Sequence, residues 1–442
     1  MSTNDYHQLP AELLSDLAES TGGPAASRAL AEAQLSKHLL RIAHLLRQWP
    51  GPTGERDRLV EAIEAARSAA PDAAGRVLGA PLVGAWVAIA CRAAGQGLAE
   101  PADVRHLGAV AAVACAAAGV DVEVEAPVRD GTVALPGLGL LTVGDAETAR
   151  VRTAGGTITV DAGHGPRTVP TSALQPDGDL TAGQAGDGPG WQPVRFLRAT
   201  AGGIGIKLAL DDVDPYRHGY HAPPAPRLSE AEFAVWQELF GQAWRLLAER
   251  IPGRAAEIAA GLRALVPLRA DDNSSRSATI RHVFGVFGLT RPTTAADFAV
   301  TLVHEYQHSK LSALLDVTPL SDPDDERRYF APWRTDPRPL GGLLQGVYAF
   351  VGVADTWRAL RGVDGVTDAA EQEFADARLQ VDRSLLSVES SDALTPAGKV
   401  FVGHLRQFAD ALLTVPVDET VAQRAEQRQR ELHQRWLAAN ST

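Results

Sequence analysis

The segment His304-Glu305-Tyr306-Gln307-His308 contains the residues of this 442-residue chain that are best suited to chemistry. Histidines four positions apart on a helix lie one turn above each other, so their imidazole nitrogens can converge on one cation. Glu305 lies about 100° farther round the helix, where its carboxylate can face a metal-bound water or a ligand. The spacing predicts a metal centre with His304 and His308 as ligands and Glu305 as the candidate catalytic residue.

A catalytic metal needs a third protein ligand, which must come from elsewhere in the chain. A zinc hydrolase would take a histidine or glutamate there and use Glu305 as general base. A non-haem Fe(II) oxygenase would take a carboxylate and leave positions for a co-substrate and O₂. Asp355, in the next predicted helix, is the best-placed carboxylate, although pairing with Arg358 would give it a purely structural role. His282 and His404 are weaker candidates, and the spacing leaves zinc and iron as alternatives.

A second group of candidate residues lies in the proline-rich segment 329–339, which reads YFAPWRTDPRP. Its prolines fix backbone angles and would present Arg334 and Arg338 in defined directions. A guanidinium can bind a carboxylate through two parallel hydrogen bonds, and that carboxylate could belong to 2-oxoglutarate or to a peptide. The structural alternative is an Arg–Asp network that holds an irregular loop together.

The elements around the metal motif have helical periodicity. Thr294 followed by Asp297 approximates a capping box, and an apolar stretch then leads into His304. Leu311 and Leu315 continue the apolar face beyond the motif. The motif is therefore predicted to lie inside a capped, buried helix.

Three regions are expected along the chain. Residues 1–120 are predicted to be helical, residues 121–215 to be β-rich with a long Gly/Pro-rich loop, and residues 216–442 to form a helical catalytic domain with the metal motif. Residues 161–192 are predicted to be a mobile loop, and the acidic segment 211–221 a proline-stiffened turn rather than a metal site. The expected fold class is mostly α with a β-rich insertion (α+β), with the metal-binding helical domain in the C-terminal half.

Composition argues against several classes of partner. The net charge of −12 disfavours nucleic acid as a ligand. The longest uncharged runs, residues 77–91 and 107–120, are shorter than the ~18 residues of a membrane span. The N-terminus has no basic region followed by an apolar stretch, and Cys91 and Cys115 are expected to be small core residues. We therefore expect a cytoplasmic protein with neither nucleic acid nor membrane as partner.

The string LVHEYQHSKL at residues 302–311, followed by segment 329–339 and GGLLQGVYAF at residues 341–350, resembles the HExxH-motif peptide-modification proteins. Residues 9–46 and 211–216 also resemble that family, so the resemblance covers most of the chain. These proteins occur with clusters for ribosomally made peptides, in some cases beside or fused to radical-SAM maturases. The resemblance implies an Fe(II)- and 2-oxoglutarate-dependent dioxygenase that β-hydroxylates a residue of a precursor peptide, with a radical-SAM maturase as a further partner.

The resemblance also implies roles for individual residues. It implies that His304 and His308 are iron ligands. It also implies that Arg334 and Arg338 are candidates for binding the carboxylate of 2-oxoglutarate. Glu305 could then be a ligand, an acceptor for a histidine N–H group, or a base. This chain departs from the family pattern at Gln345 and Phe350, where some members carry histidine.

Two other functions are compatible with the same residues. A zinc metallopeptidase could trim a leader peptide, and metal identity together with a cleavage assay would distinguish it. A non-catalytic module could recruit a precursor peptide for a radical-SAM maturase, and a purified protein without stoichiometric metal would favour that alternative.

Overall fold

The computed structural model describes residues 10–19, 23–174, 188–219, 222–270 and 276–440. The chain is a mixed α/β protein, 56% helical and 16% strand, which confirms the expected α+β class. The helices of the described residues are α1 (Ala11–Ala18), α2 (Gly23–Arg47), α3 (Thr53–Ala69), α4 (Pro71–Leu78), α5 (Pro81–Gly95), α6 (Pro101–Arg105), α7 (Leu107–Ala118), α8 (Glu230–Arg250), α9 (Pro252–Gly261), α10 (Ala295–Leu315), α11 (Leu340–Leu360), α12 (Thr367–Glu389), α13 (Pro396–Leu413) and α14 (Glu419–Asn440).

The strands form three sheets. Their bounds are β1 (Val122–Pro127), β2 (Thr132–Leu135), β3 (Gly139–Thr142), β4 (Thr148–Ala154), β5 (Thr157–Asp161), β6 (Arg167–Val169), β7 (Trp191–Pro193), β8 (Arg195–Ala201), β9 (Ile204–Leu210), β10 (Ala264–Pro267), β11 (Ser277–Thr279) and β12 (Val286–Leu289). The strand orders are β1-β4-β5-β6, β2-β3-β7 and β11-β12-β10-β9-β8. The region 121–215, which was predicted to be β-rich, contains strands β1 to β9.

The five-stranded sheet crosses the boundary that the sequence suggested at residue 215. It joins β8 and β9 to β10, β11 and β12, which come from the region expected to be helical. Strand β10 pairs in parallel with both β9 and β12, and all four of its residues are buried, as are those of β12. Strands buried on both faces show continuous apolar runs without alternation, so their sequences resemble buried helix segments.

The prediction of one long loop over residues 161–192 was wrong at both ends. Strand β6 pairs with β5, and a short 3₁₀ helix follows it at Ser172–Leu174. Strand β7 pairs with β3 and buries Trp191 to 8% exposure. Residues 175–187 of the predicted loop lie outside the described residues.

The acidic segment after β9 forms a turn, as expected. The carboxylate of Asp211 accepts hydrogen bonds from the backbone N–H groups of Val213 and Asp214, at 3.1 and 2.8 Å. Asp212 pairs with Arg195 at 2.7 Å. These buried carboxylates therefore stabilise the chain reversal between β9 and α8. Residues 220–221 of this segment lie outside the described residues.

The Ala-rich helices α5 and α7 are internal. Cys115 of α7 is fully buried, Cys91 of α5 is half-buried, and both are free thiols, in line with a role in packing. Among the helices described here, none is by itself long and apolar enough to cross a membrane. Helices α4 and α5 meet that test only as a pair, which is bent by 56°.

Helix α10, which contains His304 and His308, passes through the largest hydrophobic core of the described residues. The Thr294 side chain accepts a hydrogen bond from the backbone N–H of Asp297 at 3.1 Å, which confirms the predicted cap. Phe298, Leu302 and Leu311 are at most 1% exposed. Because apolar contacts surround the helix on most sides, the polar residues of the motif are held in fixed directions.

Candidate metal centre

His304 and His308 lie one above the other on α10. Their ring centroids are 4.7 Å apart and the ring planes are inclined by 85°. Both residues are half-buried, whereas the residues directly before and after each of them in the helix are buried. The structure therefore brings the two imidazoles together in the arrangement expected from their spacing.

A hydrogen-bonded chain fixes the orientation of the His308 ring. The Gln345 amide donates through Nε2 to the Ser312 hydroxyl at 3.2 Å, and its Oε1 lies 3.1 Å from His308 Nδ1. An amide oxygen only accepts hydrogen bonds, so Nδ1 of His308 is the donor and carries the proton. In that tautomer the Nε2 atom of His308 keeps its lone pair, as a metal ligand requires.

Burial determines the charge of His304. Desolvation, followed by the nearby His308, lowers the pKa of His304 to about 3. Its ring contacts Phe350 at 5.6 Å between centroids, and Phe350 stacks on Trp333 at 4.6 Å. His304 is therefore a neutral imidazole at neutral pH, and it lies next to a pair of stacked aromatic rings.

Glu305 is buried and is held by strand β11. Its Oε1 accepts a hydrogen bond from the Ser277 hydroxyl at 2.7 Å, and its Oε2 accepts one from the Thr279 hydroxyl. The same Oε1 lies 3.8 Å from Nε2 of His304. The structure thus places this carboxylate beside the histidine pair and orients it from the sheet.

Asp355 takes part in ion pairs rather than in a ligand set. Its carboxylate binds Arg254 at 2.6 Å and Arg358 at 2.8 Å. Burial alone would raise the pKa of Asp355, but the two guanidiniums hold it below its ordinary value. In the part of the chain that the structure describes, no three His, Cys, Asp or Glu residues form a group that could hold a metal ion. The structural alternative considered for Asp355, pairing with Arg358, is the arrangement found.

The weaker candidates lie in other surroundings. His404 lies 3.4 Å from a carboxylate oxygen of Glu19, the residue that follows α1. His282 lies in the turn between β11 and β12. Neither joins His304 and His308 in a group of potential ligands.

Arg334 and Arg338 both bind Asp336, at 2.7 and 3.0 Å. The backbone groups of Tyr329 and Arg338 exchange hydrogen bonds of 2.8 and 2.9 Å, so the segment is a hairpin. This is the Arg–Asp network considered as the structural alternative. The side chains are well exposed, at 51% for Arg334 and 48% for Asp336.

Several residues of the site had no signal in the sequence. Ser277, Thr279 and Ser312 are common polar residues, and no spacing rule connects them with the motif. Gln345 and Phe350 were singled out only as departures from the family pattern, and the structure shows that they contact His308 and His304. Both departures therefore fall on the site itself.

No protein-family model matches the chain, and no similar curated protein was found. The family suggested by residues 302–311, 329–339 and 341–350 therefore remains a hypothesis.

Proposed function

We propose that the chain is a metal-dependent enzyme with His304 and His308 as ligands, and that its metal centre lies in the C-terminal half. Its reaction would be Fe(II)- and 2-oxoglutarate-dependent β-hydroxylation of a residue in a ribosomally synthesised precursor peptide. The observation that carries the proposal is the hydrogen bond from His308 Nδ1 to Gln345, because it leaves Nε2 free to bind a metal. Since such peptides are made on ribosomes, we place the reaction in the cytoplasm.

The donor set is compatible with iron. The two imidazoles would supply nitrogen ligands, and Glu305 is the carboxylate that lies beside them, 3.8 Å from Nε2 of His304. Non-haem Fe(II) oxygenases typically add one carboxylate ligand to two imidazoles. In the described residues Glu305 is held by Ser277 and Thr279 and does not complete a three-residue ligand group with the histidines, so we assign it a role beside the centre. Such a centre would use O₂ to convert a C–H group of the peptide to C–OH while 2-oxoglutarate becomes succinate and CO₂. The chain's own residues would orient the ligands and limit the access of water.

Arg334 and Arg338 remain our candidates for binding 2-oxoglutarate. Their partner Asp336 is about half exposed, and ion pairs in contact with water contribute little to stability. A carboxylate of 2-oxoglutarate could therefore replace the Asp336 carboxylate on one guanidinium at little cost. The loop is joined to the centre through Trp333, which stacks on Phe350.

Metal analysis and succinate formation test the proposal without knowledge of the peptide. The protein is purified without oxygen, loaded with Fe(II), and given 2-oxoglutarate and O₂. We expect one iron per chain and slow succinate formation, since turnover uncoupled from a peptide does not require the substrate. A His304→Ala/His308→Ala double variant should fold but lose both iron and succinate formation, because alanine preserves the helix. Wild-type rates in that variant would refute the proposal.

A second candidate function is a non-catalytic peptide-binding partner of a radical-SAM maturase. It is favoured by Gln345 and Phe350, which contact the two histidines at positions where some members of the resembling family carry histidine. It is also favoured by the lack of a three-residue ligand group among the described residues. A protein that retains less than stoichiometric Fe(II) or Zn(II), yet binds peptide, would support this alternative.

A further inference from the structure

Strand β11 is one edge of the five-stranded sheet and, among the described strands, pairs only with β12. The backbone N–H of Thr290 donates to the carbonyl oxygen of Arg276 at 2.8 Å, so these two residues form a hydrogen-bonded pair. Such pairs alternate along an antiparallel ladder, and the register places Ser277 and Thr279 at the intervening positions. The N–H and C=O groups of Ser277 and Thr279 therefore point away from β12, towards the edge of the sheet.

Both residues at this edge are at least partly exposed. Ser277 is exposed and Thr279 is half-buried. Within the ranges that the structure describes, no backbone hydrogen bond connects the outward groups of these two residues to another segment. An open strand edge of this kind can bind an extended peptide, because the peptide completes the row of main-chain hydrogen bonds.

The side chains of the same two residues connect the edge to the metal centre. Ser277 and Thr279 hold the carboxylate of Glu305, whose Oε1 is 3.8 Å from His304 Nε2. A strand added to β11 would lie about 4.8 Å from it, with its side chains alternating between the two faces of the sheet. Every second side chain of such a peptide would therefore lie on the face of the sheet that carries His304.

Positive charge is concentrated at the end of β11, although the chain has a net charge of −12. His282 follows this strand, and burial together with nearby cations lowers its pKa. The cations are Arg41, Arg92, Lys37 and Arg281. Lys37 is paired with Asp316, whereas Arg92 and Arg281 are exposed. Acidic residues in a peptide that continues past β11 would meet complementary charge here, which favours association and fixes direction.

We propose that an extended peptide with acidic residues at one end binds as an additional strand on the free edge of β11. The bound segment passes the metal centre, and its acidic end lies against the cations around His282. The identity of this peptide as a substrate rests on the proposed function, but the binding itself requires neither metal nor turnover.

The probe is obtained by selecting a random-peptide display library against the full-length protein. We expect enriched peptides to carry Asp and Glu at one end of an extended segment. The best binder is then synthesised with N-methyl groups on alternate backbone amides, in the two possible sets. One set removes the N–H groups that face β11 and should weaken binding about tenfold or more, as expected for two lost hydrogen bonds. The other set should bind within about twofold of the parent peptide.

Two substitutions at one position provide the matched test in the protein. Ser277→Ala removes the hydroxyl that holds Glu305 but keeps the backbone N–H. Ser277→Pro removes both, at an edge position where proline is tolerated because its nitrogen faces outward. We expect the proline variant to bind the selected peptide about threefold to tenfold more weakly than the alanine variant, which corresponds to one hydrogen bond. The N-methylated peptides give an independent result if the proline variant does not fold.

The outcomes separate this inference from the proposed function. Alternating sensitivity to N-methylation in a protein that forms no succinate would support the strand-binding site and contradict the hydroxylase proposal. Equal binding of both N-methylated sets, together with equal binding by the two Ser277 variants, would overturn the strand-binding site. A selection that enriches no peptide would overturn it as well.

Discussion

At the residue scale, the properties of the two histidines come from different neighbours. His308 is fixed by a hydrogen bond to Gln345, whereas His304 is kept neutral by burial against Phe350. Orientation and neutrality are the two conditions that an imidazole must meet to bind a metal. The i, i+4 spacing predicted that the rings would be adjacent, but these neighbours lie 37 and 46 positions farther along the chain, where no local pattern points to them.

Replacing Gln345 tests the importance of the fixed tautomer. In Gln345→Leu the proton of His308 can occupy either ring nitrogen, so the lone pair at Nε2 is no longer guaranteed. Loss of such a partner typically lowers metal affinity about tenfold to a hundredfold. We expect a loss of this size in Co(II) titrations followed by absorbance. Gln345→Glu, which keeps an acceptor oxygen, is the control and should retain near-normal affinity, whereas equal affinity of all three proteins would contradict the tautomer argument.

Glu305 distinguishes the possible reactions. Ser277 and Thr279 hold its carboxylate, and a glutamine amide could keep a hydrogen bond to each hydroxyl. We therefore expect Glu305→Gln to keep most of its iron and part of its succinate formation. Loss of iron in this variant would identify Glu305 as a ligand. Retained zinc with complete loss of peptide cleavage would instead support a metallopeptidase that uses Glu305 as base.

At the scale of elements, local patterns predicted structure well and long-range pairing was not visible. The Thr294 cap and the apolar face of α10 follow from spacing within one segment, and both are present. Strands β10 and β12 are four residues long and entirely apolar, so no period distinguishes them from helix. Strand β11 is a short polar strand at the edge of the sheet. Its sequence has no strand pattern, and it is recognised as a strand only by its pairing with β12.

The hairpin of residues 329–338 is the element whose role is most open to experiment. If Arg334 or Arg338 binds 2-oxoglutarate, its replacement by alanine should remove a charge-assisted bidentate pair worth about 1.5–3 kcal/mol. The 2-oxoglutarate concentration that supports half-maximal succinate formation should then rise roughly tenfold to a hundredfold, with iron content unchanged. Asp336→Ala is the matched control, because it removes the competing carboxylate and should not weaken binding. Normal 2-oxoglutarate affinity in both arginine variants would show that the hairpin is structural.

At the scale of the whole molecule, α10 connects the candidate metal centre to the N-terminal helices. Lys310 binds Glu257 at 2.6 Å, with both side chains at most 2% exposed. The hydroxyl of Ser27 in α2 lies 2.7 Å from that of Tyr306. Tyr348 of α11 donates to the carbonyl oxygen of Leu17 in α1 at 2.7 Å. Buried polar contacts therefore join α1, α2, α9, α10 and α11, although the sequence pattern places the first two helices in a different region.

For the buried Lys310–Glu257 pair, the cost of leaving one charge buried without its partner should affect stability more than the attraction between the two charges. Burial lowers the pKa of Lys310 to about 8, although Glu257 acts to raise it, so the ammonium is still charged at pH 7. Lys310→Met would leave the Glu257 carboxylate buried without its partner, which costs about 3–5 kcal/mol in comparable pairs. We expect a loss of that size in the free energy of unfolding, measured with urea at pH 7. The Lys310→Met/Glu257→Leu double variant removes both charges and should recover most of the loss. If the double variant were as unstable as the single one, packing around the lysine stem rather than the unpaired carboxylate would explain the effect.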